Sequence, residues 1–95
     1  MKAAIPAPAG QAHALLAEAA ARLLGAAPSG PDVALALACL EGASLLADLG
    51  EDAAPTETVE PKEAVIQAAS MLAVDGRAEA RALSGELRRA LAERA

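Results

Sequence analysis

Large apolar residues return along this chain with the period of a helix in four separate stretches. Over residues 11–26, Leu15, Leu16, Ala19 and Leu23 fall on one face, and Gln11, Glu18 and Arg22 share the opposite edge. Glu18 and Arg22 are four apart in the favourable order for a helical ion pair. The segment Ala26-Ala27-Pro28-Ser29-Gly30 then ends the pattern. A second helix is expected over 31–49, with Pro31 at its first position, Asp32 near the positive end of the dipole and Gly50 as its stop. It carries two apolar stripes, Val33, Leu37 and Leu40 on one side and Leu35, Cys39, Leu46 and Leu49 on the other. Only Glu41 and Asp48 mark a polar strip between them. A helix apolar nearly all round is buried by neighbours or sits in an interface, so this one is expected to be the most buried of the set.

Residues 50–60 form an acidic, Pro-containing connection, longer than the roughly 2–8 residues usual between helices of a bundle. A third helix over 61–75 opens at Pro61 and buries Val65, Ile66, Ala69, Leu72 and Ala73. Asp75-Gly76 is a turn signal, favouring a tight hairpin into a fourth helix over 77–94. There Leu83, Leu87 and Leu91 make a seam, with Glu79, Glu86 and Glu93 along one flank and Arg77, Arg81 and Arg88 along the other. The expected fold is therefore all-α: a small antiparallel bundle of about four helices in two hairpins, preceded by a flexible arm over residues 1–10. Residues 72–83 resemble the turn of tetratricopeptide-like hairpins. With Arg81 at the small-residue position, no aromatic residues and no internal repeat, this is a helical-hairpin signal that assigns no family.

Composition sharpens this picture. The chain has 95 residues, enough for one domain, and no aromatic residue. Of its apolar residues 29 are Ala, so the supply of large core side chains is thin. Ala, Leu, Arg and Glu favour helix, and the scarcity of β-branched and aromatic residues leaves little to build strands. Abundant Ala with Arg preferred over Lys suggests GC-rich codons and hence a bacterial source. The N-terminus offers no signal-peptide run, and the longest apolar run, residues 33–40, is far short of the ~20 residues of a membrane span. The expectation is a cytoplasmic protein with no membrane partner.

Candidate chemistry is sparse. The single Cys excludes an intramolecular disulfide and a multi-Cys zinc site. Cys39, in an apolar run without basic neighbours, reads as a small buried hydrophobe and not as a reactive thiol. His13 has no Cys, carboxylate or second His at helical spacing to complete a metal pair. The acidic series Asp48, Glu51, Asp52, Glu57, Glu60 and Glu63 lacks the alternating spacing of a calcium loop. No phosphate-cradling glycine motif or nucleophile elbow can be written, and Ser44 and Ser84 have no local catalytic context. These readings leave no catalytic, cofactor-binding or metal residues and no cofactor.

The function expected by elimination is a non-enzymatic helical protein–protein interaction module, acting as a homodimer or as a subunit of a hetero-complex with another helical protein. The interface residues assigned on pattern alone are Leu35, Cys39 and Leu46, on whichever side of the second helix the fold leaves exposed. The charged flanks of the fourth helix, Arg81, Arg88, Glu79 and Glu86, join them. On this reading Leu35→Glu or Leu46→Glu breaks association before it unfolds the monomer. The alternative is a DNA-binding regulator using Arg77, Arg81, Arg88 and Arg89, since residues 76–95 hold five Arg against three Glu. The net charge of -5 and the Glu row on the same helix oppose a phosphate-binding footprint.

Overall fold

The computed structural model describes residues 8–25, 27 and 29–94. Four helices account for most of them: α1 (Pro8–Gly25), α2 (Gly30–Asp48), α3 (Pro61–Ala73) and α4 (Ala78–Arg94). Among the described residues there is no strand. Residues 1–7 of the expected arm lie outside the described residues. Its last three do not behave as an arm: Pro8, Ala9 and Gly10 open α1, and Ala9 and Gly10 are buried. Pro8 suits this place, because the first turn of a helix leaves its N–H groups unpaired in any case.

The helix ends follow local chemistry. Ser29 caps α2 through a reciprocal pair: its hydroxyl accepts from the Asp32 N–H at 3.2 Å, and the Asp32 carboxylate accepts from the Ser29 N–H at 3.4 Å. At the other end Gly50 adopts φ 89°, a left-handed conformation that costs glycine little, and its N–H reaches back to the Ala47 carbonyl. The turn between α3 and α4 works differently from the expected glycine turn. Gly76 is not left-handed; instead the Asp75 carboxylate accepts from the backbone N–H of Arg77 at 2.8 Å and fixes the chain direction there.

Each helix packs on two others: α1 on α2 and α3, and α4 on α2 and α3. Among the described residues the core is built from Ala and Leu, ten and eight of its buried apolar residues, with no aromatic side chain. Leu15, Leu16, Leu35, Leu46, Leu72, Leu87, Val65 and Cys39 are its largest fully buried side chains, and the ten buried Ala fill the spaces between helices. Gly42 lets α2 approach closely, since a Cβ there would stand 3.0 Å from a Leu83 methyl and 3.1 Å from a Leu16 methyl. Buried polarity is minimal. The Ser84 hydroxyl, inside the core, donates to the Ala69 carbonyl at 2.7 Å and ties α4 to α3.

Two expectations are corrected here. The second helix is not the most buried: α1 buries eight of its 18 residues, α2 six of its 19. Ile66, expected in the core of the third helix, is 40% exposed, and Ala73 is exposed too. The physical reason is the same in both cases. A helix with two neighbours in a four-helix arrangement covers only one side, so residues beyond that arc stay outside whatever their hydropathy.

The connection over residues 50–60 is not loose. Starting at the end of α2, it lies along α1 and is bonded to it at intervals. The Ala54 N–H donates to the Gly10 carbonyl at 3.0 Å, and His13 donates through Nδ1 to the Glu51 carbonyl at 2.6 Å. Farther along, Arg22 donates to the Val59 carbonyl at 2.6 Å. Gly10 is required for this approach, because a Cβ there would sit 2.9 Å from the Asp52 carbonyl oxygen. The segment runs beside α1 from its first turns to near its last, which accounts for its length.

Candidate interaction surface

The site residues expected on α2 are divided by the fold. Leu35, Cys39 and Leu46 are fully buried inside the chain's own core, so the interface assignment for these three is withdrawn. The other stripe faces out: Leu37 is 51% exposed, Leu40 44%, with Val33 half-buried and Ser44 and Ala47 exposed beside them. A usable sequence signal for this choice existed. On a helical wheel the polar pair Glu41 and Asp48 lies next to Leu37 and Ser44 and opposite Cys39 and Leu46, so the polar strip marks the outer side and its apolar neighbours go out with it.

The outer stripe has a regular spacing. Val33, Leu37, Leu40, Ser44 and Ala47 alternate steps of four and three residues, the spacing of a coiled-coil seam. Large side chains fill its N-terminal half and small ones its C-terminal half. Glu41 and Asp48, both exposed, run along one edge. The face is thus apolar with an acidic margin. By length and composition alone, α2 also meets the test for a membrane span, with a mean hydropathy of 1.4, a test that the core helix of a soluble protein passes as well. The expectation drawn from the 33–40 run undercounted this, because Ala and Gly extend the apolar character across the whole helix. One side of α2 is nevertheless committed to the bundle through Leu35, Cys39, Gly42 and Leu46.

On α4 the flanking charges are outside, as exposed Glu79, Arg81, Glu86, Arg88 and Arg89. They are not equally available. Arg81 donates to the Asp75 carbonyl at 2.8 Å. Arg77, one of the four arginines of the DNA-binding alternative, is tied down: its guanidinium meets the Asp75 carboxylate at 3.0 Å and the Glu51 carboxylate at 3.0 Å. Hydrogen bonds from the Arg77 side chain and backbone hold the Asp75 carboxyl well below the ordinary carboxylate range, at about 2, and the pairing raises Arg77 further above its already high value. This cluster joins the 50–60 connection to the α3–α4 turn, a link that no local sequence pattern announced.

The remaining candidates have structural surroundings. His13 is half-buried and holds the connection through the Glu51 carbonyl; since a carbonyl only accepts, the ring proton is on Nδ1. Burial pushes the Cys39 thiol up to about 12, which keeps it neutral. Among the described residues, no group of three or more His, Cys, Asp and Glu side chains converges on a point where a metal ion could sit. The acidic residues of the connection are mostly exposed and spread along its length. What the arrangement offers is therefore a surface: an outward apolar seam on α2 and a charged, small-residue face on α4. No family model, curated protein or solved structure matches this chain.

Proposed function

We propose that this chain is a non-enzymatic helical interaction module whose contact surface is the outer face of α2. One observation carries the reading: Val33, Leu37 and Leu40 form an outward apolar stripe with seam spacing, while a separate stripe of the same helix already serves the core. A stripe of this kind gains by covering; about 25 cal/mol is returned for each Å² of apolar surface withdrawn from water. In this reading α1 with α2 and α3 with α4 are two helical hairpins, and the 50–60 connection is the crossover that carries the chain back along α1. The module is cytoplasmic, uses no cofactor, and acts through a protein partner, self or other. DNA binding draws less support, because Arg77 is engaged by two carboxylates and Arg81 by a carbonyl.

The test is native mass spectrometry of the tagged protein isolated from its source, beside the Leu37→Glu and Leu40→Glu variants. Association, with copies of itself or with a second mass, is expected for the wild type and lost in both variants, with far-UV helicity unchanged. Association that survives both substitutions places the contact surface elsewhere.

A further inference from the structure

We infer that the outer face of α2 docks, in parallel orientation, on the outer face of α4 of a second copy of this chain. This rests on reading α2 as the contact surface and adds the occupant. The α4 face repeats the same alternation of four and three residues: Ala78, Ala82, Gly85, Arg89 and Ala92, all exposed. Aligning the two seams sets Val33 on Ala78, Leu37 on Ala82 and Leu40 on Gly85, a large side chain on a small one in three successive layers. Ser44 then meets Arg89, a polar pair, and Ala47 meets Ala92.

Gly85 is the position that asks for an outside explanation. Glycine inside a helix is about 0.5–1 kcal/mol less favourable than Ala. A Cβ at Gly85 would find nothing within 4 Å, so no close contact within the chain requires its absence. A Leu40 side chain arriving from another copy does.

Charge selects the orientation. In a parallel pair, the position preceding one seam residue faces the position following the next seam residue of the partner helix. In the register above, Arg81 falls opposite Glu41 and Arg88 opposite Asp48. The antiparallel alternative brings the Glu79, Glu86 and Glu93 row toward Glu41 and Asp48, acid against acid. Pairing α2 with another α2 offers those two acids no cation at all. Arg81 already gives one hydrogen bond to the Asp75 carbonyl, which uses one of the five N–H donors of a guanidinium. Because the two docking faces differ, the contact is head-to-tail, and it propagates into a ring or filament unless two copies close on each other.

Light scattering and native mass spectrometry on purified protein test this with two half-disabled variants. Leu40→Glu removes the α2 knob and Gly85→Leu fills the α4 recess. Each alone is expected to be a folded monomer, and mixing them is expected to give a one-to-one pair and nothing larger, since each keeps the face the other lacks. Glu41→Arg is expected to weaken association by about two- to fivefold, the range of an exposed ion pair, and Glu41→Arg with Arg81→Glu in one chain to recover it. A wild type that stays monomeric at its highest soluble concentration overturns the self-docking; if Leu40→Glu still loses a co-isolated protein, the α2 reading survives with that partner. An oligomer lost in Leu40→Glu but kept in both Gly85→Leu and Arg81→Glu also overturns it, in favour of an α2–α2 seam.

Discussion

Leu46 and Leu37 are the same residue type on the same helix, yet one is fully buried and the other half exposed. Substituting each by Glu therefore reads out the two sides of α2 separately. Leu46→Glu or Leu35→Glu places a carboxylate in the core without a partner, and a loss of about 4 kcal/mol or more is expected, enough to abolish the thermal transition of a small domain. In dilute protein, where no association contributes, Leu37→Glu should leave the melt within about 0.5 kcal/mol of wild type, because an exposed position exchanges side chains at little cost. Circular dichroism melts of the three variants decide it, and a folded Leu46→Glu protein would contradict the burial described above. Cys39 reports on the same core. Its thiol is enclosed and neutral, so a thiol reagent at neutral pH should label it only as the bundle opens, and at the ordinary thiol rate in denaturant.

At the scale of elements, the bundle depends on how closely helices approach and how the connection is pinned. A Cβ at Gly42 would press on methyl groups from both α1 and α4, Leu16 and Leu83. Gly42→Val is expected to destabilise by about 1–3 kcal/mol through overpacking, measured by urea unfolding. The Asp75–Arg77–Glu51 cluster gives a pH signature. Asp75 has a lowered pKa in the folded state, so the stability it contributes is present above its ordinary value near 4 and is lost as pH falls toward about 2. Asp75→Asn should weaken the protein above pH ~4 and flatten its acid dependence between about 4 and 2. The effect is small, since Arg77 is one-third exposed and water screens the pair. An unchanged acid limb in the variant would remove Asp75 from the account.

For the whole molecule, a core built largely from Ala leaves modest stability in a single copy, because burying a methyl gains far less than burying a Leu. Association would add to it by mass action, so the melting temperature of the wild type should rise with protein concentration. In Leu40→Glu the rise should vanish, leaving the monomer's own value. Differential scanning calorimetry over a wide concentration series measures both. The absence of Trp and Tyr makes the protein nearly invisible at 280 nm, so concentration is to be taken by refractive index.

Local chemistry was enough for the elements themselves. Ala-rich composition with Leu at helical spacing called for four helices and no strand; Pro31, Pro61 and Gly50 marked ends that lie within a few residues of those observed, since helix starts and stops depend on neighbouring residues alone. The burial of Leu15, Leu16, Leu23, Leu72, Leu83 and Leu87 was legible for the same reason, each lying on its helix's one large apolar face. Where a helix offered two apolar stripes, the spacing of the apolar residues did not rank them, and only the Glu41 and Asp48 strip pointed to the outer one. Which stripe of α2 went inward was decided by the placement of α1 and α4, and it left Leu35, Cys39 and Leu46 in the core and Val33, Leu37 and Leu40 outside. The strapping of residues 50–60 along α1, the closeness of Gly10 to Asp52 and the joining of Arg77 to Glu51 are likewise contacts between residues distant in the chain. Spacing along a sequence carries no record of such distances, and only the packed arrangement of the helices creates them.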